Sequence, residues 1–118
     1  MKKLLLLALI ITMMSCKKEE QVQKQVIVTY EVESPRALVV FNDEFDNEKK
    51  LVVSGIYTYQ FEAVKTDTAS LTTYTPSTVG PLHVKATIYV NGNVAAQFNG
   101  LQQGHPQTLK VDLTKFRN

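Results

Sequence analysis

The chain has 118 residues, a formal charge of +2 and a single cysteine, with 44% hydrophobic and 20% charged residues. That length suits one domain rather than two. The near-balance of charge leaves no basic footprint for nucleic acid and no polybasic patch for a membrane surface, and one thiol cannot close an internal disulfide.

Met1 to Cys16 opens the chain with two lysines, an apolar run from Leu4 to Met14, and Ser15 before the cysteine. A positive lead and a short apolar core are the layout of an export signal. As a helix the run spans roughly 16 Å at 1.5 Å per residue, about half of a ~30 Å hydrocarbon layer. The next residues are Lys17-Lys18-Glu19-Glu20, which no membrane helix would bury. Residues 1–15 are therefore expected to be a signal peptide. Met13-Met14-Ser15-Cys16 resembles the lipobox of bacterial lipoproteins, with Met13 where such boxes usually carry Leu. The resemblance implies cleavage before Cys16, a diacylglycerol on its thiol, and an anchor in the cell envelope. Two or more acyl chains hold a protein stably, at about 0.8 kcal/mol per buried methylene. Lys17 rather than Asp after the cysteine implies the outer membrane. Removing 15 of the 118 residues leaves 103, and losing Lys2 and Lys3 leaves 11 basic against 11 acidic residues.

Residues 16–25 read as the lipidated Cys16 and a polar tether, which reaches at most about 30 Å when extended. From Val26 the apolar period becomes two. Val26, Val28, Tyr30 and Val32 alternate with polar residues as a half-buried strand. Ser34-Pro35 then reads as a turn, Ala37 to Phe41 as a central strand, and Asn42 to Lys50 as a charged loop. Leu51 to Ala63 forms the next strand region, in which Gly55 marks a bulge or break and Tyr57, Tyr59 and Phe61 share the inward face. Thr66 to Thr75 suits a strand, and residues 76–81 a loop. Leu82 to Val90 alternates cleanly into Asn91-Gly92, a type I′ hairpin signal. Val94, Ala96 and Phe98 begin the return strand. A loop over Gly100 to Pro106 and a last strand carrying Leu109, Val111 and Leu113 complete the chain. About seven strands without an amphipathic helix predict an all-β fold over residues 26–118. We expect an antiparallel β-sandwich of immunoglobulin-like architecture, with a small β-barrel as the alternative.

Lys85 to Val94 (Lys-Ala-Thr-Ile-Tyr-Val-Asn-Gly-Asn-Val), after Val28-Thr-Tyr-Glu-Val32, is similar to a small β-sandwich family. That family includes short exported lipoproteins of the Bacteroidota and the mycobacterial MmpS-like proteins. The resemblance implies a β-sandwich covering most of residues 26 to 113. Ser54-Gly55-Ile56-Tyr57 stands where the family often carries a Pro-Trp pair.

Few residues suggest chemistry. Asp43, Glu44, Asp46 and Glu48 form the densest charge cluster, and loop carboxylates at such spacing are weak candidates for calcium. The spacing matches no EF-hand, Phe45 interrupts it, and Lys49 and Lys50 offset its charge, so a solvated hairpin loop is the expectation. His83 and His105 lack the spacing of a zinc site. Ser54, His83 and Asp67 could be written as a triad, but no Gly-x-Ser-x-Gly elbow supports it. Tyr89 is placed on an outward face, where its ring could stack on a sugar or anchor a protein contact. No enzyme activity and no cofactor are expected. The expected role is binding or scaffolding of another envelope component, with glycan or small-ligand recognition at Tyr89 as the alternative. Cys16 is the expected lipid attachment.

Overall fold

The computed structural model describes residues 25–117. Six antiparallel strands make up the molecule: β1 (Ile27–Asn42), β2 (Glu48–Glu62), β3 (Thr68–Tyr74), β4 (Leu82–Val90), β5 (Asn93–Gln102) and β6 (Gln107–Asp112). Short 3₁₀ turns at Ser77–Val79 and Leu113–Phe116 are the helical content of the described residues. No helix there is long and apolar enough to cross a membrane.

The architecture is organised by β1. Along one edge it pairs with β2 from Ile27↔Glu62 to Asn42↔Glu48. Along the other, its first half (Val28 to Glu33) pairs with β4 and its second half (Leu38 to Phe41) with β3. The order β5-β4-β1-β3-β6 follows, with β2 attached only to β1. The sheet therefore folds over itself at the middle of β1, placing β4 and β5 across the core from β3 and β6. At the far side β5 approaches β6 without pairing, so the sandwich has part of a barrel's closure.

The fold line lies at residues 34–37, where the sequence suggests a turn. The chain does not turn there. Ser34 pairs with Gly55 and Ala37 with Val53, so β1 carries one residue more than β2 across this step. This is a β-bulge, and its effect on packing can be read from parity. Before it the buried residues are even-numbered (Val26, Val28, Tyr30, Val32, Ser34); after it they are odd (Ala37, Val39, Phe41, Asp43). Without the extra residue, the second half of β1 would turn its apolar set to solvent. Opposite the bulge β2 keeps a single parity, with Val53 and Phe61 buried and Leu51, Tyr57 and Tyr59 partly buried. Gly55 supplies the φ of +108° that the strand needs to bend there. Two expected strands thus become one, and the count is six rather than about seven.

Other boundaries move for local reasons. β5 runs on to Gln102, through residues expected to be loop. Val94 and Ala96 do not share a face. The register shifts between Ile88 and Tyr89, so Val94 opposes Tyr89 on the outside while Ala96 opposes Ile88 on the core side. Asn91 (φ +53°) and Gly92 (φ +84°) form the expected two-residue turn.

The core is a single cluster fed by all six strands. Its densest part is aromatic. The Tyr30 ring lies 5.3 Å from Phe41 and 5.7 Å from Phe61, and Phe41 lies 4.9 Å from Tyr59. These are tilted contacts of the kind aromatic quadrupoles favour. The expected inward set of Tyr57, Tyr59 and Phe61 is seen, although the two tyrosines remain half-exposed because β2 is an edge.

Candidate functional site

The β1–β2 turn brings all four candidate calcium ligands into one small region and then directs them apart. Asp43 is buried, at 3% exposure. One of its carboxylate oxygens accepts from the backbone N–H of Phe45 and of Asn47, both at 2.9 Å. Those bonds, Asn47's first, hold its carboxyl below the usual aspartate range, and the Lys49 ammonium 3.8 Å away adds to the effect. Glu44 accepts from the Tyr59 hydroxyl at 2.5 Å. That bond, followed by burial, pushes the Tyr59 phenol up to about 12. Asp46, with φ +63°, accepts from Asn42 at 3.0 Å. Glu48 meets Lys50 at 3.5 Å on the surface. Four carboxylates face four different partners. Among the described residues no three His, Cys, Asp or Glu side chains stand close enough together to hold a metal ion.

What closes this turn is a residue sequence reasoning left inside a charged loop. Asn42 satisfies all four sites of its amide. Its Oδ1 accepts from the Tyr30 hydroxyl at 2.5 Å and the Ser70 N–H at 2.9 Å. Its Nδ2 donates to Asp46 and, at 2.6 Å, to the Thr68 carbonyl. The turn is thereby tied to the aromatic core and to the start of β3. Burial pushes the Tyr30 phenol well above the usual tyrosine range. Thr66 is also buried, and its hydroxyl lies 3.1 Å from the carbonyls of both Asp43 and Glu44. Arg117 was likewise unforeseen. Its guanidinium donates to Asp67 at 2.7 Å and to the carbonyls of Ala63 and Thr66, clamping the β2–β3 connection.

Tyr89 occupies the outer face of β4 as expected, but it is half-buried and engaged. Its hydroxyl donates to Glu31 at 3.0 Å, and that bond raises its pKa. Neighbouring side chains are paired too. Gln97 donates to Thr87 at 3.1 Å and Thr29 to Gln60 at 3.3 Å. The face is a ladder of cross-strand hydrogen bonds.

The remaining candidates do not converge. His83 is exposed and lies with Glu33, Ser34, Pro35, Gly55 and Ile56 around an open cleft of about 470 Å³ beside the bulge. His105 is exposed, and its backbone carbonyl accepts from Gln102. Asp67 is bound to Arg117, so Ser54, His83 and Asp67 do not form a triad. Cys16 lies outside the described residues. No protein-family model matches the chain, and no curated protein matches it significantly.

Proposed function

We propose that the protein is a lipid-anchored, non-enzymatic β-module of the bacterial cell envelope that binds or scaffolds another envelope component. The observation that carries this reading is the N-terminal run: two lysines, an eleven-residue stretch that is apolar apart from Thr12, and Ser15-Cys16 followed at once by charge. Residues 17–25 then serve as a short polar tether, and the β-domain sits close to the membrane. The domain's assets fit contact rather than chemistry. Its hydrogen-bonded turns and outer faces give Asp43, Glu44, Asp46, Asp67 and Tyr89 local partners, while strand edges and exposed Val52, Ile56, Val94 and Leu101 remain available. The resemblance to small exported lipoproteins of the MmpS-like kind agrees with this reading and rests on the β4–β5 hairpin.

The test is Cys16→Ala in a bacterial host. The parent chain is expected in the outer-membrane fraction, carrying acyl mass on Cys16. The variant is expected in the soluble or culture fraction. Equal membrane retention of both, or an unmodified thiol in the parent, would refute the anchor. Glycan recognition at Tyr89 has less to stand on, because its hydroxyl is already committed to Glu31 and its ring is half-buried. A glycan array that responds to the parent and not to Tyr89→Ala would reinstate it.

A further inference from the structure

Strand β2 is unusual in its length, its composition and its position. It runs 15 residues and pairs only with β1, so its other edge carries no partner among the described residues. Edge strands in stable monomers are normally short, or guarded by charge or proline. β2 has neither proline nor any charged residue from Leu51 to Phe61, and its charges stand only at the ends, in Glu48-Lys49-Lys50 and Glu62. The side chains along it are incompletely covered. Leu51, Tyr57 and Tyr59 face the core yet stay half-exposed, and Val52 and Ile56 are 61% and 67% exposed. A side chain built at Gly55 would meet nothing within 4 Å, and the open cleft at Gly55 and Ile56 lies at the middle of the strand.

The spacing of the flanking charges identifies the occupant. When β2 is laid antiparallel against its own copy with Ile56 opposite Ile56, Lys50 falls opposite Glu62 of the second copy, and the reverse pair repeats across the two-fold axis. Shifting the symmetric register by one step in one direction sets Glu48 against Glu62; shifting it the other way sets Glu62 against Val52 and loses the ion pair. Like charges directly opposite destabilise a ladder, and unlike charges support it. In the favoured register parity is kept, so inward residues meet inward residues. Leu51 pairs with Phe61 and Val53 with Tyr59, extending each open core into the other. Tyr57 pairs with Gly55, where the missing side chain leaves room for its ring. The two exposed Ile56 side chains cover each other at the axis.

We propose that the protein forms a two-fold symmetric dimer through antiparallel pairing of β2 with β2 of a second copy, in the register that places Ile56 opposite Ile56 and Lys50 opposite Glu62. The contact is isologous, as closed dimers require. It is independent of the lipid anchor, so its failure would leave the envelope assignment untouched.

The experiment is light scattering with sedimentation on the full chain under reducing conditions, which removes any Cys16 disulfide, corrected for detergent where acyl chains require it. The parent is expected at twice the mass of its own chain, as measured on the same sample after denaturation. Ile56→Lys places two ammonium groups at the axis and should weaken dimerisation by more than about 10-fold. Lys50→Glu alone and Glu62→Lys alone should each weaken it about 10-fold, and the double exchange should restore it. All these positions are exposed, and circular dichroism melts of each variant verify that the monomer fold persists. A parent chain that stays monomeric overturns the proposal, and so does one that holds only a foreign extended segment on β2. A dimer indifferent to Ile56→Lys, or one whose charge exchange fails to rescue, overturns it equally.

Discussion

The molecule has two prominent β-hairpins, and they are held shut by different means. The β4–β5 hairpin closes through backbone geometry. Asn91 and Gly92 take the two positive φ values of a type I′ turn, and the strand twist does the rest. At the turn itself the side-chain contribution is one clasp, the Asn91 Oδ1 accepting from the Ile27 N–H at 2.8 Å while the Asn91 N–H donates to the Ile27 carbonyl. The β1–β2 hairpin closes through side chains brought from elsewhere. Asn42, Tyr59 and Thr66 bond to residues 43–47 directly, and the Tyr30 hydroxyl and Ser70 N–H hold Asn42 in place behind them. A turn made of backbone preference is local and robust. A turn made of converging side chains forms only when the core does, and it reports on the core's integrity.

That contrast predicts unequal penalties. Asn42→Ala removes one small amide but strands the Tyr30 hydroxyl inside the core and leaves the Ser70 N–H and Thr68 carbonyl without their partner. At about 1–3 kcal/mol per buried group left unsatisfied, a loss of roughly 3 kcal/mol is expected in urea denaturation. Asn91→Ala sacrifices one exposed bond and some preference for positive φ, so a loss of about 1 kcal/mol is expected. Equal losses would show that the two turns are not held differently. Asn42→Asp sharpens the test. It keeps an acceptor for Tyr30 but cannot donate to Thr68 or Asp46, and it places a second carboxylate beside Asp46.

The same division explains what could be read before the structure was known. The Leu82–Val90 strand, the Asn91-Gly92 turn and the inward set of Tyr57, Tyr59 and Phe61 are local patterns, and they stand as the sequence suggests. The bulge at Ser34–Ala37 was misread as a turn because Ser-Pro is a local turn signal. Only the register against Val53 and Gly55 reveals that the chain continues. The change in parity between Val32 and Ala37 was the available clue, since two apolar sets of opposite parity in one strand need an inserted residue to face one core. Asn42 and Arg117 left no trace, because the contacts that tie them to β3 and to the β2–β3 connection reach 26 to 54 residues along the sequence. The acidic cluster was legible as charge and illegible as geometry.

Titration probes the β1–β2 hairpin from both ends of the pH scale, since Asp43 in its turn and Tyr59 on its second strand have pKa values displaced in opposite directions. Asp43 is depressed by its backbone donors, so its contribution is present above the ordinary aspartate pKa and disappears as pH falls through the lower folded value. Melting temperature should therefore drop as pH is lowered below about 4, and Asp43→Asn should flatten that limb at the cost of lower stability at neutral pH. Tyr59 behaves in the opposite sense. Its raised pKa preserves stability below the ordinary tyrosine value near 10 and withdraws it as pH climbs towards about 12. Tyr59→Phe should cost about 1 kcal/mol at pH 7 and remove the most alkaline-shifted exposed phenol from ultraviolet difference spectra. An unchanged spectrum would mean that Glu44 does not hold the hydroxyl in solution.

The smallest effect is expected at the acidic cluster, which the sequence offers only as a weak calcium candidate. Calcium wants six to eight oxygens converging on one point. Here a bound ion would have to draw Asp43 away from two backbone N–H groups, Glu44 from Tyr59, and Asp46 from Asn42. Each release costs a charge-assisted hydrogen bond, and withdrawing Asp43 also opens the turn that presents the other three. A ligand that binds the folded state raises stability by RT ln(1 + [L]/Kd), so even a millimolar site would add about 1.4 kcal/mol at 10 mM calcium. The melting temperature in 10 mM calcium should match that in magnesium at equal ionic strength. A calcium-specific rise, abolished by Asp46→Asn, would show that the turn can exchange its internal partners for an ion.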